Sequence, residues 1–377
     1  MRLLMISGDR SLVSGKHGAF SDMLGECAKH WERIDIVCPS APTPALTPSP
    51  SPDGRGETFF PANVFLHSSS RGLWYQPFWI KKKGAELVRQ FHHDVMTVHE
   101  YPPFYNGIGA RLLKRVVEIP AVLEIHHIVG WPRASSISEW IGRWMTNIFI
   151  GSHANQFDAV RVVNGTVKSM LTLWGVEEKK ISVVPSVYLD HAALNITKNQ
   201  MKKFDIVFAA RLVDNKGLLE TIDAVASLPN VTMLVIGDGP LRTAMEEKVR
   251  HLAISDRVTF TGWLPSALDV ARSIASGRIF VMNSRSEGNP RSLIEAMALG
   301  VPCITTKVGI APDVIREGVN GVFTTGEAAD LAEKIRALLS SPEQQTSLGR
   351  EAIQITERFE RGRLITAYAD FLKSLSC

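Results

Sequence analysis

Residues 203–237, KFDIVFAARLVDNKGLLETIDAVASLPNVTMLVIG, contain the pattern that decides the fold. The apolar run KFDIVFAA predicts a buried strand over 203–210, and GLLETIDAVASL predicts an amphipathic helix over 217–228. VTMLVIG predicts a second strand over 231–237, which ends at a glycine. A strand, a helix and another strand in this order are typical of a parallel sheet covered by helices on both faces.

The same alternation runs through both halves of the chain. In the second half, helices are predicted at 241–252 and 292–300, and strands at 257–262, 278–284 and 302–306. In the first half, strands are predicted at 2–7, 34–40, 94–99, 121–126 and 149–154, and helices at 18–30 and 110–117. The prediction is therefore an α/β protein with two doubly wound, Rossmann-like domains that face each other across a cleft.

The boundary between the two domains is expected near Pro185–Asn199, where the alternation stops and polar residues gather. This predicts one domain over residues 1–190 and a second over 191–357. The proline-rich stretch SAPTPALTPSPSPDGRG in the first domain predicts a surface loop.

Composition excludes several classes of protein. Of the 377 residues, 45% are hydrophobic and 21% are charged, as in an ordinary soluble globular chain. The net charge of +4 arises entirely in residues 1–185, with 20 basic and 16 acidic residues, which is too weak for a nucleic-acid-binding surface. The four cysteines form neither a zinc pattern nor a disulfide framework, and no strong signal peptide is present, so a cytoplasmic location is expected.

The densest functional signal is SRSEGNPRSLIEAMALG, residues 284–300. Glu287 lies in a glycine- and proline-containing loop, and Glu295 lies one turn into the helix that follows. The start of such a helix can bind a phosphate, and a carboxylate one turn further in can accept hydrogen bonds from a ribose. The alternative is an amphipathic helix with two solvated acids.

Arg211 and Lys216 lie between the strand and the helix that open the second domain. At the carboxyl end of a strand, two cations can neutralise a diphosphate, although they can also be ordinary surface charges. The sequence contains no D-x-D and no other metal-binding pattern, so no metal site and no bound cofactor are expected.

Four further stretches allow both a functional and a structural interpretation. VIGDGP, residues 235–240, lacks the third glycine of a dinucleotide fingerprint, which favours a tight turn that approaches the ligand or simply ends the strand. His126 and His127 follow a predicted strand, where one ring can face a substrate or both can be structural. Aromatic and basic residues at 74–83 and basic residues at 110–117 can contact an anionic membrane surface or can form solvated helix faces.

With these motifs in their order, the sequence resembles the large family 4 group of GT-B glycosyltransferases over most of the chain. The E-x7-E signature of that family resembles Glu287–Glu295, and its basic pair resembles Arg211 and Lys216. The other matching segments are the glycine loop with Gly18, the strand Pro120–His126, the turn Gly237–Pro240, Val258–Gly262 and Val308–Asp313.

The resemblance implies a retaining, metal-independent transfer of a hexose from a UDP- or GDP-linked sugar to a hydroxyl of a glycan or lipid-linked acceptor. The second domain would hold the donor and the first domain the acceptor, with residues 358–377 crossing back to the first domain. The residues implied as catalytic are His126, Glu287, Arg211 and Lys216. The residues implied as donor-binding are Gly18, Arg211, Lys216, Gly288, Asn289, Pro290, Arg291, Ser292, Leu293 and Glu295.

Some departures from the family pattern affect the donor sugar. His17 replaces the first glycine of the glycine loop, and Asn289, Pro290 and Arg291 replace a commoner F-G-L run. A nucleotide-sugar epimerase and a non-catalytic nucleotide-sugar-binding module remain as alternatives. Beside a cytoplasmic location, the basic first half leaves open a peripheral position on the inner face of the plasma membrane.

Overall fold

The computed structural model describes residues 1–9, 19–39, 61–189, 194 and 200–376. The predicted glycine loop with Gly18 and the predicted proline-rich loop lie outside these residues. Below, the first half means the described residues up to 189, and the second half means residues 200–376.

The first half contains a seven-stranded, fully parallel sheet with the strand order β3-β2-β1-β4-β5-β6-β7. Its strands are β1 Arg2–Ile6, β2 Arg33–Cys38, β3 Val64–Ser68, β4 Val95–His99, β5 Ala121–Ile125, β6 Ala159–Val162 and β7 Ile181–Val183. Its helices are α1 Ala19–Cys27, α2 Gln76–Phe91, α3 Tyr105–Lys114, α4 Ile137–Ala154 and α5 Gly165–Leu173.

The second half contains a six-stranded, fully parallel sheet with the order β10-β9-β8-β11-β12-β13. Its strands are β8 Phe204–Ala209, β9 Met233–Ile236, β10 Val258–Gly262, β11 Gly277–Met282, β12 Cys303–Thr306 and β13 Val322–Thr324. Its helices are α6 Leu218–Ala226, α7 Arg242–His251, α8 Ala267–Ala275, α9 Arg291–Ala298, α10 Ala311–Val314, α11 Ala328–Leu339, α12 Pro342–Ala352, α13 Ile355–Arg358 and α14 Arg361–Lys373.

Both faces of each sheet are covered, because buried parallel strands must shield apolar side chains on two sides. In the first half, α2, α3 and α4 cover one face through Ile80, Leu113 and Ile150. Helix α1 and the final helix α14 cover the other face through Leu24 and Tyr368. These two sheets with alternating helices confirm the predicted α/β architecture.

The prediction of a strand over 149–154 is wrong, because these residues form the end of the 18-residue helix α4. The helix begins after Ser136, whose side chain accepts a hydrogen bond from the backbone N–H of Glu139. Ile150 and Ala154 lie one turn apart on the buried side of α4. The short apolar run over 149–154 therefore fits a helix, although the sequence pattern alone predicted a strand.

No described helix combines the length and the apolar character that crossing a bilayer requires.

Candidate active site

Lys216 and Glu287 meet at the carboxyl ends of β8 and β11, which are neighbouring strands. The chain after β8 forms a single 3-10 turn over Asp214–Lys216, which ends at Gly217 with φ of 66°. A side chain at position 217 would collide with the backbone carbonyl of Asn283 at the end of β11. The glycine therefore lets the two loops approach, and Lys216 Nζ lies 2.5 Å from Glu287 Oε1.

The loop that carries Glu287 is held by side chains on both sides. Ser284 Oγ donates a hydrogen bond of 2.7 Å to Glu287 Oε1. Arg285 forms ion pairs of 2.7 Å with Asp214 and 2.5 Å with Glu220. These contacts connect the loop to the turn that carries Lys216, so the Lys216–Glu287 pair lies on a restrained frame.

Helix α9 follows this loop, with Pro290 immediately before its first residue. Arg291 is that first residue, and its Nε donates a hydrogen bond of 2.7 Å to Glu295 Oε1 one turn later. Glu295 is nearly buried, and the neighbouring Leu293 points its side chain into the core. At Leu293, only backbone groups can therefore contact a ligand. The side chain of Ser292, by contrast, is only half-buried.

The predicted charged residues thus form two pairs, Lys216 with Glu287 and Arg291 with Glu295. Arg211 also lies beyond the end of β8, but its side chain is exposed. Within the described part of the chain, the Arg211 guanidinium has no acidic partner.

The loop at Gly288 and Asn289 touches the first half of the protein. Asn164, which caps α5, donates from Nδ2 to the carbonyl of Gly288 at 2.8 Å, and the same nitrogen lies 3.5 Å from the Asn289 side chain. A side chain at position 288 would collide with the backbone carbonyl of His126. Gly288 therefore permits the close approach of the two halves at the site.

Two further hydrogen bonds join the halves beside this point. The backbone N–H of Gly165 donates to Asp313 Oδ2 at 2.6 Å, and Thr166 Oγ1 donates to the carbonyl of Gly309 at 3.1 Å. The predicted donor-binding loop consequently lies at the junction of the two halves.

His126 lies at the end of β5, where its ring faces a buried carboxylate that the sequence did not single out. His126 Nε2 lies 3.1 Å from Glu124 Oε2, and 40% of the His126 side chain is exposed. Arg161 Nη1 donates to the same Glu124 oxygen at 2.6 Å. The other oxygen of Glu124 accepts hydrogen bonds from Thr97 and, at 2.5 Å, from Tyr368 of α14.

Burial and the Arg161 guanidinium together set the charges in this network. Burial alone would raise the pKa of Glu124, but the Arg161 guanidinium holds that pKa well below its ordinary value. Burial lowers the pKa of the adjacent His99 to about 4, so His99 is neutral near pH 7. A charged Glu124 therefore orients the His126 ring beside a neutral His99.

His127, the other histidine after β5, lies close to the Lys216–Glu287 pair rather than to Glu124. Its Nε2 is buried without a hydrogen-bond partner among the described residues, and burial lowers its pKa. The β-carbon of His127 would lie 3.3 Å from a β-carbon placed on Gly288. Both histidines thus adjoin the predicted site, on different sides.

One group of described side chains has the spacing of a metal site. The ligand atoms of His99, Glu124 and His126 lie within 4.8 Å of one another. The positive guanidinium of Arg161 already occupies Glu124 and opposes a second cation there. We therefore attribute the group to orientation of the His126 ring.

A cavity of about 600 Å³ lies beside the Glu287 loop. Ser284, Arg285 and Glu220 line it, together with Arg133 from the first half and residues of β13. None of its lining residues is among the predicted donor-binding residues.

Two protein families match adjacent parts of the chain. Residues 22–187 match the family described as glycosyltransferase family 4, and residues 192–355 match the glycosyl transferases of group 1.

Individual relatives cover most of the chain. It is 33% identical to the N-acetyl-alpha-D-glucosaminyl L-malate synthase of Bacillus anthracis over 327 residues, which are 81% of this chain and 83% of that protein. It is 26% identical to the sulfoquinovosyl transferase SQD2 of Arabidopsis thaliana over 82% of this chain. That match spans only 62% of the Arabidopsis protein, less than two thirds of its length.

Solved structures share the fold at low sequence identity. The sucrose-phosphate synthase of Thermosynechococcus elongatus aligns with a TM-score of 0.77 at 18% identity, over 99% of this chain and 98% of that chain. Anabaena Alr3699/HepE in complex with UDP aligns with a TM-score of 0.73 at 19% identity, over the whole of both chains.

Proposed function

Because the chain belongs to the family 4 glycosyltransferases with the GT-B fold, we propose that it is a retaining enzyme that transfers a hexose without a metal ion. The donor would be a UDP- or GDP-linked sugar. The acceptor would be a hydroxyl of a glycan or of a lipid-linked glycan at an anionic membrane surface.

The contact between Lys216 and Glu287 carries this proposal. It places a cation and a carboxylate at the carboxyl ends of two neighbouring strands, beside the start of α9. Lys216 would neutralise the donor diphosphate together with Arg211 and the N–H groups at the start of α9. Glu287 would accept a hydrogen bond from a hydroxyl of the donor sugar, and Glu295 would hold the ribose.

In the proposed reaction, the bond between the sugar C1 and the diphosphate oxygen breaks while the acceptor oxygen forms a bond to C1 on the same face. The acceptor proton passes to the departing phosphate oxygen, so the anomeric configuration is retained. The protein supplies positioning and fixed positive charge, and His126 lies beside the sugar.

The first donor to test is UDP-glucose, because the Anabaena protein of the same fold is known in complex with UDP and with UDP-glucose. In a thermal-shift assay with a panel of UDP- and GDP-linked sugars, the correct donor should raise the melting temperature of the protein. Turnover in EDTA and the anomeric proton coupling of the product then test metal independence and retention. An isomerised donor, or no product with any acceptor, would contradict the proposed transfer.

Glu295→Gln tests the proposed ribose contact with little change in shape. Hydrogen bonds to a charged acceptor contribute about 1.5–3 kcal/mol, so the KM for the donor should rise about 10- to 100-fold. The matched control is Glu333→Gln, on the exposed side of α11, which should leave the KM unchanged. An unchanged KM in Glu295→Gln would show that Glu295 does not contribute to donor binding.

A further inference from the structure

The exposed face of helix α4 is apolar, which reverses the usual pattern of a surface helix. Six large apolar side chains on this helix are between 37% and 80% exposed. They are Ile137, Trp140, Ile141, Trp144, Met145 and Ile148, and together they are called the α4 stripe below. At 1.5 Å per residue, the α4 stripe is about 16 Å long.

The charged residues of α4 turn away from this face. Glu139 accepts hydrogen bonds of 2.8 Å from the backbone and hydroxyl of Ser135. Arg143 donates to the carbonyls of Gly130 and Pro132, each at 3.1 Å. The remaining exposed positions on α4 carry only uncharged polar groups, namely Ser138, Asn147 and Ser152. An apolar strip of this kind on a protein surface marks an interaction site.

Exposed cations lie on α2 and α3, which cover the same face of the first sheet as α4. Helices α2, α3 and α4 pack on the same face of the first sheet, so their outer sides look in the same general direction. Lys81 and Lys82 on α2 are exposed, as is Arg115 at the end of α3. Arg111 of α3 lies 3.4 Å from His153 in the last turn of α4, which places the basic end of α3 against α4.

We propose that the α4 stripe inserts into the interfacial layer of a lipid bilayer with anionic headgroups, while the cations of α2 and α3 contact those headgroups. Tryptophan favours the boundary between hydrocarbon and headgroups, and Trp140 and Trp144 lie one turn apart on the stripe. Apolar insertion and attraction to anionic lipid then act on the same side of the protein.

A second copy of the chain fits this face less well. A symmetric dimer places the same patch of each subunit against its equivalent. Contact through the α4 stripe would then pair two copies of the same basic side of the protein, which carries Lys81, Lys82 and Arg115, and like charges on the two copies would oppose pairing. An anionic bilayer complements both the apolar and the basic parts of the surface.

This inference deepens the proposed function by naming a partner surface, and it rests on that function only for the route of the acceptor. The α4 stripe begins at Ile137, five residues after Pro132, which pairs with Ser286 next to Glu287. A lipid-linked acceptor in the bilayer would thus lie near the loop that carries Glu287.

Vesicle flotation with the full chain tests the proposal. Wild-type protein should float with vesicles of phosphatidylcholine containing 30% phosphatidylglycerol, and less with phosphatidylcholine alone or at high salt. Replacing both tryptophans, in W140S/W144S, should lower the bound fraction at least tenfold. The exposed Trp263 in the second half provides the matched control, because Trp263→Ser should bind vesicles like the wild type.

Depth-dependent quenching of tryptophan fluorescence by brominated lipids should decrease in W140S/W144S and not in Trp263→Ser. Absence of vesicle binding by the wild type, or a solution dimer that W140S/W144S dissociates, would overturn the proposal.

Transfer to a soluble acceptor should be equal in W140S/W144S and the wild type. Vesicle binding without any turnover of nucleotide sugars would overturn the proposed function but would still support the α4 stripe as a membrane-binding surface.

Discussion

Lys216 Nζ lies 2.5 Å from Glu287 Oε1, although the two residues are 71 positions apart in the chain. Each side chain is more than four-fifths buried, so the two charges compensate each other away from bulk water. A diphosphate that binds here would compete with Glu287 for Lys216. The Lys216–Glu287 pair thus carries no net charge until an anionic ligand arrives.

Lys216→Ala should lower kcat for sugar transfer by about 10²–10³, the cost of removing one preorganised charge donor. The measurement is initial rate at saturating donor and acceptor. Lys203→Ala is the control, because that lysine is exposed at the opposite end of β8. Equal rates in Lys216→Ala and the wild type, with both folded, would contradict the role of Lys216.

Gly288→Ala should lower kcat/KM about 10- to 100-fold, because the added methyl group would meet the carbonyl of His126 and move the donor loop. Gly25→Ala in α1 serves as the control, since nothing lies within 4 Å of a methyl group there. Unchanged kinetics in Gly288→Ala would show that the close approach at Gly288 is dispensable.

Stability should fall as the pH decreases from about 6.5 towards 4. The pKa of His99 drops from an ordinary 6.5 to about 4 in the folded protein, so the unfolded chain binds more protons over that window. Glu124, with its lowered pKa, extends the loss of stability below pH 4.5. Melting temperatures between pH 8 and 4 measure the slope.

His99→Asn should flatten this slope between pH 6.5 and 4.5, whatever its effect at pH 8. The same pH dependence in the variant and the wild type would assign the acid sensitivity to other groups.

Tyr368→Phe should lower the free energy of unfolding by about 1.5–3 kcal/mol, because its hydroxyl donates to a charged, buried carboxylate. Urea denaturation gives the value. Tyr105→Phe in α3 is the matched control, expected within about 0.5 kcal/mol of the wild type. A loss no larger than that of the control would mean that Glu124 does not need Tyr368.

The sequence predicted the second sheet well, because buried parallel strands read as continuous apolar runs. Strands β8, β9, β10 and β12 each lie within a predicted segment, β11 begins one residue before its predicted segment, and β13 was not predicted. Strand β6 was missed because Arg161 interrupts its apolar run. That buried arginine pairs with Glu124, 37 positions earlier, and no local pattern reveals such a partner.

Residue types in the donor loop were predictable, but their pairing was not. Loop spacing placed Lys216 and Glu287 at strand ends, whereas their contact depends on Gly217 and on the packing of β8 against β11. Glu124 was overlooked because it sits within an apolar strand, and its partners Arg161 and Tyr368 lie far along the chain. The roles proposed for the site residues remain predictions.

Because α14 packs on the first sheet, the first half can complete its folding only late in the synthesis of the chain. Ile365, Tyr368 and Leu372 complete one side of the core formed by Leu3 and Met5. The first half therefore reaches its final packing only after residues through Lys373 have left the ribosome. Until then, a nascent chain exposes the apolar side of its earliest strands, which makes this interval the natural point for chaperone binding.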